Sequence, residues 1–262
     1  MSLFNNPFEP AHDAALVTGA GNGIGRAIAQ ALVGEGVRTV FADVSADRVA
    51  AAIAVAPRPE LAVPWIGDLA RPDSWEELLA YARTAVGQVT HFVHSASPPR
   101  RETDHALAVD AETWDQMRAV NVDAGFHLSR ELARQLIAAR KPGSFLLLTS
   151  LHAGTPRNLP HYSASKAALA MLAKELAKTL GPFGIRINAL VPGAIAAGGF
   201  VADLSLTRHI PLGRLGRAED LAPMALAVLS NRISAYVTGA AFVVDGGLSL
   251  TNWFEAPTLD EL

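Results

Sequence analysis

Seven short apolar runs recur along the chain, each separated from the next by a stretch long enough to cross back over a sheet. They are AALVT (14–18), TVFAD (39–43), LAVPWIGD (61–68), VTHFVHSA (89–96), GSFLLLTS (143–150), IRINALV (185–191) and AAFVVD (240–245). Near-continuous hydrophobicity marks strands buried on both faces, as a parallel sheet requires. Helical patterns fill the gaps: one opening at 23–25 and others at roughly 45–56, 72–87, 111–139, 161–180 and 218–231. The alternation predicts an α/β fold, a parallel sheet of about seven strands with helices on both faces. Pro64 predicts that the third strand lies near an edge. Pro72 sits early in its helix, where the missing N–H costs nothing, and Asp110 stands where a cap is needed. Nothing marks a second domain, so residues 1–262 are read as one unit. Within it, 1–12 is an N-terminal extension, 194–210 a substrate loop and 248–262 a C-terminal extension.

Composition removes several function classes. Half of the 262 residues are hydrophobic and 18% are charged, which suits a buried core and not a disordered chain. A formal net charge of −3 argues against a nucleic-acid partner bound through phosphates. Without cysteine there is no thiolate nucleophile and no cysteine metal site. Eight histidines without a His-x-x-x-His pair or carboxylate cluster predict no metal site. The apolar run 221–229 is too short to span a bilayer, and the first dozen residues lack the basic and apolar regions of a leader. The expectation is a cytoplasmic protein with no membrane partner.

Thr18-Gly19-Ala20-Gly21-Asn22-Gly23-Ile24-Gly25 joins the first strand to the first helix. Glycines permit a tight turn and let a phosphate approach the backbone N–H groups of a helix N-terminus. Asp43 ends the second strand, 18 residues after Gly25. A carboxylate there can accept from both hydroxyls of an adenosine ribose and repels a 2′-phosphate, which favours NAD over NADP. Asp43 can equally be a turn aspartate ahead of Ser45. Asp68, ending the third strand, can reach an adenine edge or cap the helix near Pro72.

Tyr162 and Lys166 are four residues apart on a predicted helix and so share one face. An ammonium close to a phenol favours the phenolate and brings its proton exchange nearer neutrality. Ser150 closes the fifth strand at its carboxyl end, where open α/β sheets bind ligands. Asn121 lies inside a predicted helix despite its poor propensity, either to hold a polar partner or as an exposed surface residue.

Taken together, these residues resemble the short-chain dehydrogenase/reductase family, from about Ala14 to Gly247. The glycine loop matches, as do Asn121, Ser150, Tyr162 and Lys166 in order. Tyr162-Ser-Ala-Ser-Lys166, Val191-Pro192-Gly193, Val237-Thr238-Gly239 and Asp245-Gly246-Gly247 match as well. The resemblance implies a Rossmann-type doubly wound domain and hydride transfer between a nicotinamide and a secondary alcohol or ketone. It makes Tyr162 the acid/base, Ser150 the group that orients the substrate oxygen, Lys166 the ribose contact and Asn121 the holder of a relay water. The implied cofactor site is Gly19, Asn22, Gly23, Ile24, Gly25, Asp43, Asp68, Leu69, Ala96, Tyr162, Lys166, Pro192, Gly193 and Ile195. A homotetramer is implied too, with residues such as Trp253 and Phe254 crossing to a neighbour.

The match departs at His94-Ser95-Ala96-Ser97, where the family carries Asn-Asn-Ala-Gly. Ser95 stands where the second asparagine steadies the sheet, and Ser97 adds a side chain beside the adenosine. After Gly193 the run Ala194–Gly199 lacks the family's threonine, leaving the Ile195 backbone for the carboxamide. Candidate substrate residues are Ser150, His152, Asn158, Tyr162 and Phe200, with Ser97, Arg157, His161 and Gly193 nearby. Their polarity suits a small polyol or sugar-like substrate. Arg100 and Arg101 are an adjacent pair on a loop, either solvated or placed to attract an anionic group. Alternatives are a 3-oxoacyl-thioester or pterin-type reductase using NADPH, and a catalytically silent nucleotide sensor.

Overall fold

The computed structural model describes residues 7–197 and 204–250. Seven parallel strands form one sheet in the order β3-β2-β1-β4-β5-β6-β7. They are β1 (Ala14–Thr18), β2 (Arg38–Asp43), β3 (Ala62–Ile66), β4 (His91–His94), β5 (Gly143–Leu148), β6 (Ile185–Pro192) and β7 (Ala241–Val244). The helices are α1 (Gly23–Gly34), α2 (Ala46–Ala54), α3 (Asp73–Val86), α4 (Ala111–Arg118), α5 (Ala124–Ala139), α6 (Pro160–Leu180) and α7 (Ala218–Leu229).

Side chains alternate across each strand, so one sheet makes two cores. Leu16, Phe92, Phe145 and Leu147 face Leu78, Leu128, Leu132 and Leu169 of α3, α5 and α6. Ala15, Val17, Phe41 and Leu146 face Ile28, Leu32, Val49 and Leu221 of α1, α2 and α7. β1, β4 and β5 are buried along their whole length, including the polar residues Thr18, His91, His94 and Ser144. Phe92 and Phe145 meet edge to face, with centroids 5.8 Å apart.

β3 is an edge strand, as Pro64 predicted. The Tyr81 hydroxyl donates to the Pro64 carbonyl at 2.8 Å, so this edge has lost a donor to proline and an acceptor to tyrosine. The stretch 111–139 is not one helix. Residues Ala119–Asp123 form a π-helical turn between α4 and α5, bracketed by an Arg118–Asp123 ion pair. Asp110 caps α4 through the Thr113 N–H, as expected. Asp68 does not cap α3; its carboxylate closes a turn on the Ala70 N–H at 2.9 Å.

Arg186 of β6 is buried without a carboxylate partner among the described residues. Its guanidinium donates to Ser144 Oγ, to the Val228, Leu229 and Val237 carbonyls and to Asn231 Oδ1. Two of these are carbonyls from the last turn of α7, which have no partner inside the helix and face its negative dipole end. Burial pulls Arg186 down to about 10, which leaves it charged at neutral pH. Arg186→Met should cost about 3 kcal/mol in chemical denaturation, because several buried acceptors lose their donor together. Arg186→Lys should recover only part of that, since one ammonium cannot reach the same set.

Candidate active site

The strand order reverses beside β1: the chain builds β2 and β3 on one side, then places β4 on the other. Ligands of open α/β sheets bind at the carboxyl ends of strands flanking such a point. Thr18 and His94 end the two strands, and the glycine loop begins at Gly19. The loop turns so tightly that a Cβ on Gly25 would fall 2.3 Å from the Gly19 carbonyl oxygen. Asn22 caps α1, its side chain accepting from the Gly23 N–H at 2.7 Å. Ile24 is partly buried against the α1 core.

Asp43 stands at the mouth of this loop. Its carboxylate accepts from the Gly21 N–H at 3.1 Å, the Ser45 N–H at 3.1 Å and Arg48 Nη2 at 3.2 Å. The turn aspartate and the loop-facing aspartate are thus the same residue. Arg48 was not singled out in the sequence; five residues beyond Asp43, it comes back over the carboxylate because Ser45 starts α2 at once. A tight glycine turn, a capped helix N-terminus and a carboxylate beside them fit the phosphates and ribose of a dinucleotide. Leu69 is buried in the core, and the Ala96 N–H donates to Thr18 Oγ1 at 3.3 Å. Gly193 follows Pro192 at the end of β6 and donates to the Val244 carbonyl, while Ile195 bridges to Gly216.

Tyr162 and Lys166 sit one turn apart on α6 and are both buried. Lys166 Nζ lies 5.7 Å from the Tyr162 ring centroid and donates to the Leu148 carbonyl at 2.8 Å. Leu148 ends β5, two residues before Ser150. Ser150 is buried, and its Oγ accepts from the His152 N–H at 3.2 Å. Asn121 is not on the surface; it is fully buried in the π-helical turn. Its Nδ2 donates to Ser165 Oγ at 2.9 Å, and the Ser165 hydroxyl donates to the Tyr162 carbonyl at 2.8 Å. Its Oδ1 is buried with no protein partner. α6 thus bonds Asn121 by way of Ser165 and the Leu148 end of β5 by way of Lys166, while Ser150 follows two residues beyond Leu148.

His94 fills the place of the family's first asparagine. Its Nδ1 lies 3.0 Å from Thr18 Oγ1 and its Nε2 3.0 Å from the Val120 carbonyl. A carbonyl only accepts, so Nε2 carries the hydrogen and Nδ1 takes the threonine proton. A Cβ on Gly125 would meet the imidazole at 2.9 Å, so the ring fits only against a glycine. Burial, then the nearby Lys166 charge, holds His94 down at about 4 and hence neutral. The imidazole, and not Ser95, ties the sheet to the helix behind it. Ser97 turns its hydroxyl to Met117 Sδ at 3.8 Å.

The outer side of Tyr162 is polar and cationic. His152 packs edge-on to the Tyr162 ring, with centroids 6.4 Å apart, and hydrogen-bonds the Thr155 carbonyl. His161 is buried, and Arg157 pairs with Glu102 at 2.6 Å. Burial lowers both histidines, joined by Arg157 and then Arg100 at His152 and by Arg100 at His161. Asn158 is exposed at φ 61°, a left-handed turn that asparagine tolerates well. Phe200, Trp253 and Phe254 lie outside the described residues. Among the described residues no group of three or more possible metal ligands occurs, and no helix is long and apolar enough to cross a membrane.

Burial, and behind it the repulsion of Arg100, pushes Lys166 down to about 7. Between about pH 7 and the unfolded value of 10.5 the unfolded chain binds more protons, so this group makes stability rise with pH across that window. Its cost is complete below pH 7. Lys166→Met should therefore be more stable than the parent below pH 7, with the gap closing toward pH 10 in urea titrations. A gap independent of pH would contradict this account.

Comparison with known proteins agrees with the geometry. A family model described as enoyl-(acyl carrier protein) reductase matches residues 19–249. L-rhamnose 1-dehydrogenase (NAD(P)(+)) of Azotobacter vinelandii is 33% identical over 246 residues, covering 89% of this chain and 95% of its own length. Galactitol 2-dehydrogenase (L-tagatose-forming) of Cereibacter sphaeroides is 36% identical over 253 residues, covering 90% and 94%. The crystal structure of 3-ketoacyl-(acyl-carrier-protein) reductase from Brucella melitensis complexed with NADH superposes with a TM-score of 0.85. It is 28% identical, with 92% of this chain and 100% of that one covered. With a seven-stranded parallel sheet and a glycine loop at its switch point, the chain belongs to the short-chain dehydrogenase/reductase family, NAD(P)-dependent oxidoreductases acting on CH–OH groups.

Proposed function

We propose that the protein interconverts a secondary alcohol and its ketone on a small, hydroxylated, polyol- or sugar-like substrate, with NAD as the preferred cofactor. The observation that carries this reading is Tyr162 and Lys166 buried side by side on α6, with Asn121 tied to the same helix through Ser165 and Lys166 bonded to the end of β5, two residues before Ser150. When bound, the nicotinamide supplies the acceptor or donor of hydride at the substrate carbon. In the oxidative direction Tyr162 Oη takes the hydroxyl proton, and in reduction it returns that proton to the carbonyl oxygen. Ser150 Oγ donates to the same oxygen and fixes its position, which sets the carbon for transfer. Lys166, when protonated, favours the phenolate beside it, and it would hold the nicotinamide ribose. The partnerless Oδ1 of Asn121 orients a water that exchanges the proton with solvent.

The polar groups around Tyr162, chiefly His152 and His161, support a hydroxylated substrate over a long acyl chain. The sugar and polyol named in the two curated relatives supports it as well. The ketoacyl-reductase likeness leaves acyl-thioester reduction as the second reading. Asp43 supports NAD through its carboxylate at the ribose position, while Arg48 against it supplies a cation that narrows the bias. Exposed Phe126 on α5, Met171 on α6 and Val243 on β7 support a homotetramer, and the reading carries a cytoplasmic setting with it.

Tyr162→Phe should lose turnover by at least about 100-fold while still binding NADH, followed by quenching of the four tryptophans. A variant that turns over normally removes Tyr162 from the mechanism. Asp43→Ala should shrink the ratio of NADPH to NADH dissociation constants by about tenfold, the weight of one charge-assisted hydrogen bond. An unchanged ratio removes the ribose assignment.

A further inference from the structure

The mechanism uses Lys166 on one side of Tyr162 and leaves a second cation unexplained on the other. Arg100 lies in the loop after β4, and its guanidinium carbon sits 4.4 Å from the centroid of the Tyr162 ring. The side chain is half-buried and stacked on the phenol, not extended into water. Its neighbours are compensated. Arg101 pairs with Asp104 at 3.2 Å and is largely exposed, while Arg157 pairs with Glu102. Among the described residues no carboxylate lies within ion-pair distance of Arg100.

This placement is electrostatically unfavourable in the free protein. Arg100 stands close enough to Lys166, His152 and His161 to disfavour a proton on each. A cation kept beside a buried ammonium, with no acid of its own, leaves positive charge for an incoming group to neutralise. A guanidinium carries its donors in a fixed fork that can meet a two-oxygen group in parallel, and this one stands over the phenol.

We infer that the substrate carries an anionic group, a carboxylate or a phosphate, a few bonds from the reacting carbinol carbon, and that Arg100 receives it. This rests on the reading of Tyr162 as the proton-transferring group. It narrows the substrate class from neutral polyols to polyhydroxy acids or their phosphorylated counterparts. Arg100 thereby becomes a specificity residue that selects substrates by charge.

The test compares three compounds of one carbon-chain length: an alditol, the matching aldonate and the alditol phosphate monoester. Steady-state oxidation with NAD should favour one of the anions over the alditol by about 10- to 100-fold in kcat/KM, the range of one charge-assisted hydrogen bond. The favoured anion separates carboxylate from phosphate. Arg100→Gln should abolish that preference, chiefly through KM. Arg100→Lys should retain part of it, and Arg101→Gln should retain it fully. Equal use of the alditol and both anions by the parent enzyme overturns the inference, as does a preference that survives in Arg100→Gln. Calorimetry on the enzyme–NADH complex separates binding from chemistry. Anion binding that is lost in Arg100→Gln but followed by no oxidation keeps the inference and overturns the Tyr162 reading for such compounds. No binding of either anion overturns the inference, whatever the alditol does.

Discussion

The His94 imidazole, between Thr18 and Val120, is the bond on which the centre of the molecule depends. One end holds the last residue of β1, where the glycine loop begins; the other holds the carbonyl beside Asn121. The Thr18 hydroxyl in turn accepts from the Ser95 and Ala96 N–H groups. The paired strands β1 and β4 at the switch point are thus tied to each other's ends and to the helix behind them by one neutral ring. A buried polar group is costly unless every atom is satisfied, and here both nitrogens are. The glycine loop and Asn121 share a single anchor, so a shift in either reaches the other.

Charge is distributed around this anchor with little slack. Lys166 is buried on a carbonyl, Arg186 is buried on carbonyls and an amide, and Arg100 lies against a ring. Arg186 does structural service, and its many acceptors make it a sound member of the core. Lys166 has one acceptor, and burial removes much of its hold on its proton. The contrast follows from the number of acceptors that each buried cation meets.

Much of this was legible in the sequence. AALVT at 14–18 is the whole of β1, because a strand buried on both faces is mostly apolar. Tyr162 and Lys166 at helical spacing, and Asp43 at the end of its strand, fell where expected. What was hidden depends on contacts that periodicity does not encode. A π-helical turn adds a residue without breaking the apolar stripe, so 111–139 read as one helix, and the sequence left Asn121 open between a polar partner and the surface. Arg48 approaches Asp43 only because the β2–α2 turn is short. His94 looked like a departure, because the glycine that makes room for its ring lies 31 residues away. Arg100 differs from Arg101 only in loop conformation, which two adjacent identical letters cannot convey.

The two ends of the sheet are unequal, and this gives the molecule a direction. At β3, proline and the Tyr81 hydroxyl have blunted the edge; at β7 the strand is short but carries no such block among the described residues. Copies that join edge to edge have one open side to offer. Two chains meeting across β7 about a two-fold axis would consume both open sides at once, leaving only blunted ones outermost. Chain extension then terminates at a pair, and the sheet is spared the unlimited stacking that ends in a fibre.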